Sequence, residues 1–93
     1  MRWPLGLYRV AGKSMQPTYQ PGDVLLGWRW FRPQVGQIVV ARYDGRPLIK
    51  RIARIERDYI HVVGDNSGRS TDSRHFGPLS HAHLEAKIIL RLT

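Results

Sequence analysis

Proline or glycine interrupts this chain roughly every ten residues, and that punctuation excludes most helical architectures at the outset. A proline inside a helix removes a hydrogen bond and clashes with the preceding turn, and Pro4, Pro17, Pro21, Pro33, Pro47 and Pro78 are spread along the whole sequence. Between the breaks lie short runs rich in Val, Ile and Tyr, which suit a pleated, half-buried surface. The pattern predicts an all-β fold of short antiparallel strands at 23–28, 37–43, 48–56, 59–63 and 86–92. Asp44-Gly45 predicts a tight hairpin, because glycine accepts the positive φ of a two-residue turn, and Arg57-Asp58 is placed at the next turn.

With 93 residues, the chain is expected to make one compact domain, residues 1–93, around one core. The absence of cysteine excludes a disulfide frame, a thiolate nucleophile and a cysteine-based zinc site. Fifteen Lys and Arg against seven Asp and Glu give a net charge of +8. That excess calls for an anionic neighbour: an acidic peptide, a nucleic acid or the cytoplasmic face of a membrane. No apolar run approaches the roughly 18 residues of a spanning helix, so the expectation is a cytoplasmic chain without a transmembrane segment.

Three segments carry chemistry. Ser14 lies in Gly12-Lys13-Ser14-Met15-Gln16-Pro17-Thr18, Lys50 in Leu48-Ile49-Lys50-Arg51-Ile52, and Ser70 in the run from Gly64 to Arg74. Alternation along a strand puts Leu48, Lys50 and Ile52 on one face and Ile49, Arg51, Ala53 and Ile55 on the other. A lysine serves as a base only when neutral, and an ordinary pKa of about 10.4 leaves almost none neutral at pH 7. Lowering it to about 8 requires ~3–4 kcal/mol of discrimination against the ammonium, part of which aliphatic neighbours supply by excluding water. The alternative is a lysine at a strand edge with its amine in water.

In order and wording the three segments resemble the type I signal peptidase (leader peptidase) family, over about residues 10–77. The resemblance implies a signal-peptidase- or LexA-like β fold and a serine peptidase whose nucleophile is Ser14 and whose general base is Lys50. It further implies that Ser70 orients the lysine and that Asp72 and Arg74 form a structural ion pair behind the site. Gly64, Asp65 and Asn66 are its supporting residues, and Gly12, Ser14 and Met15 its oxyanion and substrate-binding positions. Some family members have a hydroxyl two residues before the nucleophile; Gly12 stands there, so a backbone amide or water must substitute. Tyr19 and Lys13 also depart from the usual wording without removing a catalytic group.

The resemblance implies a partner that is a precursor protein with an N-terminal leader, and neither cofactor nor metal. Within the family, the stretch from Ser70 to Pro78 is most similar to the nickel-type superoxide dismutase maturation proteases. Signal peptidases of this family sit at membranes; the absence of a span and the early Met1 favour a soluble substrate. A LexA-type self-cleaving regulator uses the same residue pair, but its own cleavage site and DNA-binding module need more than the thirteen residues before Ser14. A non-enzymatic basic module binding nucleic acid accounts for the charge and leaves the three segments as coincidence.

Other patterns compete less well. Gly12-Lys13-Ser14 lacks the glycine a phosphate-binding loop needs at position 7, where Leu7 stands. No motif surrounds His61, His75, His81 or His83 that would complete a Ser-His-Asp triad, and the last three are expected to be solvated rather than metal-bound. Trp28, Trp30 and Phe31, interleaved with Arg29 and Arg32, fit core packing, a membrane or substrate rim, or a nucleic-acid platform.

Overall fold

The computed structural model describes residues 3–93. Seven strands form one antiparallel sheet among them: β1 (Leu5–Arg9), β2 (Val24–Trp28), β3 (Ile38–Tyr43), β4 (Arg46–Glu56), β5 (Tyr59–Val63), β6 (Leu79–Ser80) and β7 (Leu84–Arg91). Their order is β1-β2-β7-β3-β4-β5-β6, so the last strand inserts between β2 and β3. Among the described residues helix is confined to α1 (Ser73–Phe76) and two short 3-10 turns, in keeping with the proline spacing. The five predicted strands are present with small shifts at their ends. β1 and β6 were not foreseen, since Pro4 and Gly6 weaken the strand signal of the first and the second is two residues long.

Asp44 and Gly45 both take positive φ, 52° and 75°, and join β3 to β4 in a tight hairpin. Arg57 at φ 51° turns β4 into β5. The main core cluster is Val39, Ala41, Ile52, Ile60, Val62 and Leu79, with Phe31, Tyr43 and Phe76 packed against it. Tyr43 and Phe76 stack with ring centroids 4.3 Å apart. Val40, whose side chain points to the other face, is buried too, so the centre of the sheet is covered on both sides.

The register shifts in the β2–β7, β3–β7 and β4–β5 pairs, and the last of these changes which residues face the core. The β4–β5 register steps from Ile52↔Val62 to Arg54↔His61 and Ile55↔Ile60, a bulge that inserts Ala53 as an extra residue. Cross-strand partners share a face, so Ile55 returns to the side of Ile52 and packs on the core, against the expectation that it pointed away. Ala53 is left exposed. Accordingly, Ala53→Lys should change stability by no more than about 0.5 kcal/mol in urea titration, whereas Ile55→Lys should cost about 2 kcal/mol or more. Equal effects would mean that the strand alternates without the bulge.

Candidate functional site

Ser14 sits in the long connection between β1 and β2. The base of this loop is closed by Val10 N–H donating to Asp23 C=O (2.9 Å) and Gly22 N–H donating to Val10 C=O (2.8 Å). Gly12 has φ +75° with open space where a side chain would stand, so its requirement is conformational: it turns the chain just ahead of Ser14. Met15 is 1% exposed and anchors the loop from beneath. Among the described residues, the backbone N–H of Ser14 donates to no other group.

Residues 64–66 clamp the loop from the opposite side. The Asn66 backbone N–H donates to Ser14 C=O (2.8 Å) and its side-chain amide to Lys13 C=O (3.1 Å). Asp65 accepts from Thr18 Oγ1 (2.5 Å) and, through both oxygens, from Arg51 Nε and Nη2 at 2.8 Å each. Arg51 thereby holds the Asp65 carboxyl below the usual carboxylate range, with a further contribution from Thr18. Gly64 lies where the segments converge. A side chain there would fall on Ser70 Oγ and within 2.7 Å of the Ser14 carbonyl oxygen.

Lys50 projects from β4 on the face opposite to Arg51, paired across the ladder with Val39, and is 4% exposed. Its Nζ donates to Ser70 Oγ (3.0 Å), and Ser70 Oγ donates to Asp72 Oδ2 (2.6 Å). Asp72 is completely buried and also accepts from Gly64 N–H (2.8 Å), Arg74 N–H (3.1 Å), Arg74 Nε (2.9 Å) and Arg74 Nη2 (2.6 Å). Burial pushes the Asp72 carboxyl up, but the hydrogen bonds from Arg74, Ser70 and Gly64 outweigh it and hold the group well below the usual range. Asp72 is therefore an ionised, acceptor-only group, and this sets the direction of the hydrogen-bond chain. Ser70 must give its proton to Asp72 and receive one from Lys50.

Burial also lowers the pKa of Lys50, because the ammonium loses water without gaining an adjacent carboxylate. Asp72 opposes the shift and Arg74 reinforces it. Arg74 faces the buried carboxylate in a bidentate pair, so desolvation prevails at the lysine. Ser14 and Lys50 line one cleft of about 820 Å³ between the serine loop and the start of β4. Among the described residues no hydrogen bond joins their side chains.

Three of the four histidines are engaged in local structure, and His81 is exposed. His75 Nδ1 accepts from Asp72 N–H (3.3 Å) and His83 Nδ1 from Ser80 N–H (3.1 Å), while His61 lies 3.3 Å from an Arg54 nitrogen. Phe31 packs on the core, Trp28 is half-buried, and Trp30 is exposed and meets Trp28 in a T-shaped contact. Sequence reasoning missed Thr18 and Arg51 as loop clamps, and Tyr8, Arg42 and Glu85 as cleft-lining residues. Arg51 carried a signal, since a strand that buries Lys50 turns its neighbour to the other face; Tyr8 and Glu85, bonded at 2.6 Å across 77 residues, carried none.

A family model described as Peptidase S24-like matches residues 4–89. Mitochondrial inner membrane protease subunit 1 of Xenopus tropicalis is 29% identical, over 88% of this chain and 65% of that protein. Mitochondrial inner membrane protease subunit 2 of Mus musculus is 34% identical, over 81% and 62%. The signal peptidase complex catalytic subunit SEC11 of Yarrowia lipolytica is 33% identical, over 86% and 51%. The chain thus spans between about half and two thirds of the length of these three relatives.

Because Asp72 binds its proton more weakly folded than unfolded, its stabilisation is fully present above the ordinary carboxylate pKa of about 3.9 and drains away as pH falls toward the depressed folded value. Asp72→Asn removes this linkage. Between about pH 5 and pH 2 the wild type should lose more stability in urea titrations than the variant does. Parallel decline of the two would show that Asp72 carries no such linkage.

Proposed function

The chain belongs to the Peptidase S24-like family, and from that membership we propose that it is a serine endopeptidase with Ser14 as nucleophile and Lys50 as general base. The observation that carries the reading is a buried lysine, depressed in pKa and tethered to Ser70, opening onto the same cleft as Ser14. A neutral Lys50 uses one N–H to reach Ser70 and keeps its lone pair for the cleft. The Ser14 hydroxyl, unrestrained by any side-chain hydrogen bond among the described residues, lines the same cleft and is the group that gives its proton to that lone pair.

Lys50 then takes the proton as Ser14 Oγ bonds to a peptide carbonyl carbon, and the tetrahedral oxygen is met by the unengaged N–H of Ser14. The ammonium gives its proton to the departing amine when the peptide bond breaks, leaving an ester on Ser14. Water attacks that ester, passing a proton through Lys50 back to Ser14 Oγ. Ser70 positions the amine, and Asp72 with Arg74 positions Ser70.

The substrate in this reading is a precursor protein that loses an N-terminal leader. It lies extended in the cleft between residues 7–15 and 46–50, adding main-chain hydrogen bonds beside a strand. The wording of the Ser70 to Pro78 stretch supports the nickel-type superoxide dismutase precursor as that substrate. Peripheral membrane contact is supported by Trp30, 57% exposed, with exposed Leu5, Leu7 and Leu90 on the first and last strands. Among the described residues no helix is long and apolar enough to cross a membrane.

Incubation with a full-length nickel-type superoxide dismutase precursor and with a bacterial secretory precursor, read by mass spectrometry of new N-termini, tests the reading. A unique cut is expected in the former. Ser14→Ala, Lys50→Ala and Lys50→Arg should each abolish it while preserving the fold, since a guanidinium stays charged. Ser70→Ala should slow it about 10- to 100-fold. The wild-type rate should rise with pH and level off below the ordinary lysine range, as Lys50 loses its proton. Activity retained in either Lys50 variant rules out that base.

A further inference from the structure

The cleft that holds Ser14 and Lys50 has a buried apolar floor and an exposed cationic rim. Val10 and Val40 are buried and Leu48 is half-buried, whereas Arg9, Lys13, Arg42, Arg46 and Arg69 are exposed. These five come from five places: the end of β1, the serine loop, β3, the start of β4 and the turn ahead of Ser70. Arg9, Lys13, Arg46 and Arg69 form no ion pair among the described residues. One acid lines the same cleft, Glu85, and it already accepts from Tyr8 (2.6 Å) and Arg42 (2.8 Å).

Resting on the peptidase reading, we infer that the cleft selects a peptide segment that carries acidic side chains. An extended chain turns successive side chains to opposite sides. Side chains on the inward side are covered by the cleft, and those on the outward side reach Arg9, Lys13, Arg46 and Arg69, where carboxylates are favoured and lysines repelled.

The test uses the Ser14→Ala chain, so that binding is read without cleavage, and three labelled decapeptides in which alanine alternates with aspartate, serine or lysine. Fluorescence anisotropy at about 50 mM NaCl should show the aspartate peptide bound about tenfold tighter than the serine peptide, narrowing to under about threefold at 500 mM. Arg46→Glu should weaken the aspartate peptide about tenfold and favour the lysine one. Arg57→Glu, which changes the net charge equally at the β4–β5 turn outside the cleft, should do neither.

Equal affinity for the three peptides, or equal effects of Arg46→Glu and Arg57→Glu, overturns the inference whether or not the wild type is a peptidase. Tighter binding of a poly-uridine oligonucleotide than of the aspartate peptide, displaced by salt, also overturns it and makes the cleft a nucleic-acid site. Separately, wild-type cleavage of any of the three peptides or either precursor, abolished by Ser14→Ala, reports on the peptidase reading alone.

Discussion

The carboxylate of Asp72 is the node on which the site depends. Completely buried, it gathers the backbone of Gly64, the hydroxyl of Ser70 and the guanidinium of Arg74. An isolated carboxylate in this position would be costly, and it stays ionised because each oxygen is surrounded by donors. Its charge orders the groups around it. With Asp72 fixed as an acceptor, the Ser70 hydroxyl has one direction, and Lys50 must use an N–H to meet it. With Arg74 facing Asp72, the lysine gains little from the nearby negative charge, and loss of water dominates its pKa.

A second clamp, independent of the first in its bonds, locates the serine. Arg51 and Thr18 share Asp65, and Asn66 ties down the carbonyl groups of Lys13 and Ser14. Both clamps meet one strand, β4. The alternation of β4 sends Lys50 to the buried face and Arg51 to the other, so two adjacent residues serve the base and the nucleophile loop respectively. Gly64 and Asp65 continue the scheme on the neighbouring segment, Gly64 binding Asp72 through its backbone and Asp65 receiving Arg51. The bare Cα of Gly64 is what allows the serine loop and Ser70 to approach each other.

Much of the scaffold was legible in one dimension because its causes are local. Proline spacing excluded long helices, and Asp44-Gly45 marked a hairpin by backbone sterics alone. β6 escaped notice because two residues carry no periodicity, and β1 because its strand signal is broken by Gly6. The bulge at Ala53 was invisible for a different reason. It is set by how β4 must twist to pair with β5 while keeping Ile52 and Ile55 on one face, which is a property of the pair of strands.

Taken by itself, the sequence determined that the chain is built from short strands, that it carries neither thiol nor disulfide chemistry, and that three segments resemble those of one peptidase family. Tertiary structure alone decided that Lys50 is buried, that Ser70 stands between it and Asp72, and that scattered arginines ring one cleft. The division comes from range. Turn sterics and side-chain alternation act over a few residues and are written in them, whereas desolvation and the direction of a hydrogen bond depend on groups that only the closed sheet brings together.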